Sequence, residues 1–181
     1  MKATGIIRRV DELGRIVIPK EIRRTHKIRE GTPLEIFSGD SGELMLKKYS
    51  PILVLQDICA DAIKSVFDVL EVDTFICDKD CVLCVEGQGV VKKEFLHNPI
   101  SIELENIIEN RKSIIFNKNE GAKLIGLIKN DQIKFSSIIV VPICALGDTY
   151  GAIVALSNNN FSNSEVKILQ TFANFISLQI S

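Results

Sequence analysis

No stretch of this sequence is apolar for long enough to cross a bilayer. The longest such run, Ile138–Leu146, has nine residues, against roughly 20 for a membrane helix. Charge appears within the first residues, so no signal peptide is expected. The cysteines number five, an odd count without the spacing of a secreted disulfide scaffold, and reduced thiols in a cytoplasm are the expectation. There is no glycine-rich phosphate loop, no pairing of a nucleophile with a base and no set of metal ligands, which argues against an enzyme. Internal repeats and low-complexity segments are also missing.

What the chain does have is an uneven charge. Its net of −1 averages two unlike parts. Residues 1–50 carry 11 Lys and Arg against 7 Asp and Glu, a net of +4, and residues 51–181 carry 11 against 16, a net of −5. Only the first part invites an anionic partner. Apolar residues make up 46% and charged residues 25% of the whole, a folded rather than a disordered composition. Two domains are expected, 1–50 and 51–181, divided at Ser50-Pro51.

The first fifty residues read as short strands around one helix. Gly5–Val10 and Arg15–Ile18 are strand candidates joined by a turn at Asp11-Glu12-Leu13-Gly14, where Gly14 can take positive φ. Pro19 suits the first position of a helix that runs to about Lys27. Leu34–Phe37 and Glu43–Lys47 form a hairpin over Ser38-Gly39-Asp40-Ser41-Gly42. Lys20, Arg23, Arg24 and Lys27 then fall at i, i+3, i+4 and i+7, one stripe of the helix, with Ile18 and Ile22 on the other side. Arg8 and Arg9 come from the first strand and Arg15 from beyond the turn. A cationic helix face alone is an ordinary solvated surface. Five arginines from three elements are less easily dismissed, because the planar guanidinium fork suits phosphate and guanine. Double-stranded DNA is the expected partner, bound through Arg8, Arg9, Arg15, Lys20, Arg23, Arg24 and Lys27. So short a module, poor in aromatics and unbridged, buries too little to fold alone, so a dimer is expected. Its two-fold axis would match that of the duplex.

The run Lys2–Arg24, with Thr4-Gly5-Ile6-Ile7-Arg8-Arg9-Val10-Asp11-Glu12-Leu13-Gly14-Arg15 at its centre, closely resembles the AbrB-type transition-state regulators, and Leu46-Lys47-Lys48-Tyr49 fits the end of that module. The resemblance implies a swapped-hairpin barrel built by two interleaved chains. It also implies DNA binding by Arg8, Arg15, Arg23 and Arg24, with specificity set as much by DNA shape and flexibility as by base contacts.

Beyond Pro51 a long helix is expected from Ile52 to about Leu70, its apolar seam at 52, 55, 59, 62, 66 and 69 widened by Ile58, Ile63, Phe67 and Leu70. A hairpin Val72–Asp78 and Val82–Glu86 follows, then a helix Ile102–Asn110. Ser113–Asn117, Ser137–Ile143 and Thr149–Ser157 read as strands. Ser162 and Glu165 form a capping box for a final helix, with Phe161 positioned to staple onto Val166 and an apolar face of Val166, Leu169, Phe172, Ala173, Ile176 and Ile180. The fold class is therefore α+β, with an antiparallel sheet flanked by helices in the second domain. Val141-Pro142-Ile143, Gly147, Tyr150–Leu156 and Phe161-Ser162 resemble the end of GAF domains, which bind small molecules or pair through terminal helices. A family of sporulation regulators joins these two modules in this order and at this length. That resemblance implies a homotetramer, a dimer of dimers bundled through the first and last helices, in the forespore cytoplasm.

The effector of such a domain is not legible. Asn117-Lys118 is the only fragment of the cyclic-nucleotide signature, and no cysteine precedes a histidine as in pigment-binding GAF domains. An unidentified small molecule stays open, and no other cofactor is expected. Cys77, Cys81 and Cys84 are spaced for a metal or redox site, but on a hairpin alternate residues face opposite ways, so no metal is assigned. His26 reads as a helix-end residue, and His97, before Asn98-Pro99, lies in a loop. An antitoxin would share the N-terminal module, yet it needs an extended tail, and residues 51–181 are apolar and periodic.

Overall fold

The computed structural model describes residues 5–88, 90–117, 125–129 and 135–180, divided into two compact units that meet between Tyr49 and Ser50. Lys2–Thr4 and Lys118, part of the resemblances above, lie outside the described residues.

The first unit contains α1 (Lys20–Thr25) and a hairpin of β1 (Leu34–Ser38) and β2 (Leu44–Lys48), in register Leu34↔Lys48 to Ser38↔Leu44. Gly42 at φ 86° and the bonds Gly39 N–H to Glu43 O and Gly42 N–H to Gly39 O close the hairpin loop. The turn before α1 forms as expected, with Gly14 at φ 74°. Its arms, Gly5–Val10 and Arg15–Ile18, are not strands, however: among the described residues no ladder runs along them, and at the turn Asp11 N–H bonds Arg15 O. A strand exists only with a neighbour, and none is in place within this chain among the described residues.

The expected helix is also shorter. Pro19 is its N-cap rather than its first turn. It stops at Thr25 because Lys27 turns left-handed at φ 51°, and the bonds Ile28 N–H to Arg23 O and Lys27 N–H to Arg24 O complete a Schellman ending. None of the described residues 5–49 is buried.

The second unit is a five-stranded antiparallel sheet in the order β4-β3-β7-β6-β5, made of β3 (Asp73–Asp78), β4 (Val82–Glu86), β5 (Ile114–Asn117), β6 (Ser137–Ala145) and β7 (Asp148–Ser157). The sheet is covered on both sides. Ile76, Ile139, Val141, Ile153 and Ala155 pack with Ile52, Ile63, Val66, Leu169 and Ile176 of the helices α2 (Pro51–Val54), α3 (Gln56–Leu70) and α6 (Asn163–Ile180). On the opposite face, Phe75, Val140, Val154 and Leu156 pack with Phe95 and Leu104 of α4 (Val90–Phe95) and α5 (Ile102–Glu109). Burial on both faces explains why β6 and β7 read as continuous apolar runs rather than alternating ones.

The expected 52–70 helix breaks at Leu55 into α2 and α3. Two separate anchors flank the break: Ile52 reaches β7 at Gly151, and Gln56 Nε2 donates to Leu83 O on β4. Of the seam, Ile52, Cys59, Ala62 and Val66 are buried, whereas Val69 is exposed. The six-residue α4 was not anticipated. It places Phe95 5.2 Å from Phe75, ring centre to ring centre. At the start of α6, Glu165 accepts from the Ser162 N–H at 2.6 Å and the Ser162 hydroxyl at 2.7 Å; Phe161 is buried, and the half-buried Val166 packs against the same core.

Gly151 marks the tightest approach. A Cβ there would lie 1.9 Å from the Cys77 carbonyl oxygen and 2.9 Å from the Asp78 Cα. Backbone cannot yield as a side chain can, so Gly151→Ala should destabilise the chain by about 3 kcal/mol, the upper end of the usual overpacking cost. Urea unfolding checks this, and an unchanged midpoint would show that β3 and β7 separate freely.

Candidate nucleic-acid interface

The basic residues of the first unit are placed by three local devices. The turn 11–15 is organised by the Asp11 carboxylate. Its Oδ1 accepts the N–H groups of Leu13 at 3.0 Å and Arg15 at 2.8 Å, and its Oδ2 accepts Arg15 Nε at 2.8 Å. The bonds from the Arg15 backbone, then from its side chain, hold the Asp11 carboxyl below the ordinary carboxylate range. Arg8 and Arg9 sit in the arm before this turn, Arg8 donating through Nη1 to the Ile7 carbonyl.

The second device is α1, which sets Lys20, Arg23 and Arg24 at helical spacing with Ile22 half-buried behind them. Arg23 and Arg24 occupy the last turn, where cations meet the negative end of the helix dipole. The third device is the Schellman ending. It carries Lys27 past the helix, so Lys27 does not share the stripe that the spacing predicts. All seven bases are exposed. His26 is the C-cap, its N–H bonded to backbone carbonyls. Asp11 was legible only as a turn residue; a carboxylate four residues before an arginine across a glycine turn is the signal that hints at more.

In the second unit the sequence-level candidates resolve into structure. Cys77 lies on one face of the sheet and Cys84 on the other, with Cys81 packed on the Cys84 side, so the three do not converge. Among the described residues no group of His, Cys, Asp and Glu is arranged to hold a metal. Burial pushes the Cys59 thiol up to about 12, helped by Cys84, and the Cys84 thiol to about 11, helped by Asp57. The wholly buried Cys77 is raised as well. Asn117 is buried, donating to Phe161 O at 3.1 Å and accepting from Phe161 N–H at 3.0 Å. It thereby tethers β5 to the entry of α6 instead of facing a ligand. His97 is left-handed at φ 63° and donates its N–H to Val82 O.

Residues 55–181 match the family described as stage V sporulation protein T C-terminal, transcription factor, and residues 7–53 match the bacterial antitoxin family MazE, antidote-toxin recognition. The chain is 43% identical to stage V sporulation protein T of Bacillus subtilis over 181 residues, 99% of both chains. It is 55% identical to the transition state regulatory protein AbrB of the same organism over 56 residues, 31% of this chain and 57% of that one. The GAF domain of an Acinetobacter phosphoenolpyruvate-protein phosphotransferase superposes with a TM-score of 0.56 at 15% identity, covering 70% of this chain and 81% of that one. The second unit therefore has the GAF fold.

The burial of the cysteines has a direct readout. With a thiol reagent at mildly alkaline pH, the native chain should expose only the half-buried Cys81 and Cys144 to prompt reaction, and all five thiols should react after unfolding. Prompt labelling of Cys59, Cys77 or Cys84, located by mass spectrometry, would contradict this packing.

Proposed function

Because this chain belongs to the stage V sporulation protein T family, we propose that it regulates transcription of sporulation genes by gripping duplex DNA with paired copies of residues 1–50. The observation that carries the reading is the character of the first unit. Its described residues hold nine exposed bases, the seven named above with Arg29 and Lys47, and not one buried side chain. Ile7, Val10, Leu13, Ile16, Val17, Ile36 and Leu44 are more than half exposed, a state that water penalises at roughly 25 cal/mol per Å² of apolar surface. A second copy is the economical cover, and it also supplies the ladder partners that Gly5–Val10 and Arg15–Ile18 lack. An interleaved swapped-hairpin barrel meets both needs. Arg8, Arg9, Arg15, Lys20, Arg23, Arg24 and Lys27 are the proposed DNA contacts, with phosphate supplying most of the affinity.

Residues 51–181 act as the sensing or assembly domain. Leu53, Val54, Val69, Phe175 and Leu178 remain exposed on α2, α3 and α6, which supports pairing of these helices between chains and a tetramer. A small-molecule effector would act by shifting that assembly. The chain is read as a non-enzyme working in the cytoplasm of the forespore; no described helix is long and apolar enough to cross a membrane. The antitoxin reading has the match over residues 7–53 in its favour. It is disfavoured by the GAF fold that occupies the place of a toxin-wrapping tail.

Arg23→Ala or Arg24→Ala should weaken DNA binding by about tenfold or more, the scale of one charge-assisted hydrogen bond, while the dimer mass in light scattering stays unchanged. The logarithm of the binding constant should also fall with the logarithm of salt, by about 0.9 for each phosphate neutralised. A flat salt response, or wild-type gel shifts from both variants, would remove the arginine face from the mechanism.

A further inference from the structure

We propose that Asp11 is a positioning residue for DNA binding, its carboxylate aiming the Arg15 guanidinium at the phosphate backbone. This rests on the reading above that Arg15 contacts DNA. One carboxylate fixes Arg15 twice, through its backbone N–H at 2.8 Å and its side-chain Nε at 2.8 Å. The same group takes the Leu13 N–H, and Gly14 N–H to Asp11 O and Asp11 N–H to Arg15 O close the turn around it.

The choice of nitrogen matters. A bond at Nε uses the inner edge of the guanidinium, and neither Nη1 nor Nη2 has a partner among the described residues. The outer edge is therefore presented as a two-pronged donor, the geometry that suits two phosphate oxygens. Arg9, Lys20, Arg23 and Arg24 have no carboxylate partner among the described residues, so this arrangement distinguishes Arg15 from those four.

Stability of the free chain does not explain the pair. The side chains are 70% and 41% exposed, and ion pairs in water contribute little. Charge alone argues against an acid here, since a carboxylate next to a phosphate-binding arginine repels the phosphate. Orientation offsets that repulsion: an arginine already held in its binding rotamer loses less freedom when DNA arrives.

The sign of the effect makes the test sharp. In Asp11→Asn, the amide oxygen still accepts the Leu13 and Arg15 N–H groups, but the NH2 in place of Oδ2 cannot accept from Nε. Binding of a labelled duplex, selected by the wild-type full-length chain from a random-sequence pool, is measured across salt for wild type, D11N, R15A and D11N/R15A. The expected result is that D11N weakens binding about threefold or more, within the range of one lost hydrogen bond, although it removes a negative charge. In the R15A background D11N should have no effect or tighten binding, and R15A should lower the salt slope by about 0.9 per contact. If R15A binds as wild type, the reading of Arg15 as a DNA contact fails. If R15A is weak but D11N matches or exceeds wild type, the positioning role is overturned. A double variant weaker than R15A would show that Asp11 acts through the fold of the turn, which also overturns it.

Discussion

Exposed apolar surface on the first unit governs what this protein must be. Ile7 is 86% exposed and Leu13 73%, on a unit whose own elements are one six-residue helix and one short hairpin. Burying such side chains is the main source of folding free energy, and among the described residues of this unit none is buried. If copies pair as proposed, association is a condition of folding rather than a later event, and the stability of the module depends on protein concentration. The same constraint explains where the charge went. Every side of the module that is not needed for the proposed pairing can carry arginine, and such pairing would present each arginine twice.

The second unit solves the burial problem in the opposite way. Its sheet is closed on one face by α2, α3 and α6 and on the other by α4 and α5, so both sets of strand residues are internal. Gly151 shows how tightly, because Ile52 and the Cys77 carbonyl occupy the space of a side chain there. A unit that folds within its own chain can respond to an effector without dissolving. The apolar side chains left exposed on its terminal helices fit the proposed assembly contact between chains, in contrast to the pairing on which the first unit would depend for folding.

What could be read from the sequence followed the reach of each signal. The hairpin Leu34–Lys48 and the hairpin Asp73–Glu86 were legible because glycine and aspartate turn chemistry is local. The start of α6 was legible because Ser162 and Glu165 bond within one turn, Ser162 donating both its N–H and its hydroxyl to the Glu165 carboxylate. The break at Leu55 was not: no proline or glycine marks it, and its cause is two anchors on strands far along the chain. The six residues of α4 are too few for a period to show. Gly31 is an evident stop signal for α1, but the helix ends earlier because Lys27 takes the left-handed position without being glycine. Gly5–Val10 has the pattern of a strand and lacks a neighbour, since a pattern encodes a face and not its partner. The bases of the candidate interface were all visible as residue types, yet the link from Asp11 to Arg15 is a matter of which oxygen meets which nitrogen.

Pairing through both units, as proposed above, would have a consequence for control. If copies pair through both units, forming one contact raises the effective concentration for the other. Weak helix pairing in the second unit is then amplified at the DNA, because it sets how many arginine-bearing modules act together. Phosphate-led binding is steep in the number of charges engaged, so a small shift in assembly becomes a large shift in occupancy. Regulation on this scheme needs no change at the arginines themselves, and an effector working through the GAF-fold unit would act on the number of modules engaged, not on the chemistry of each.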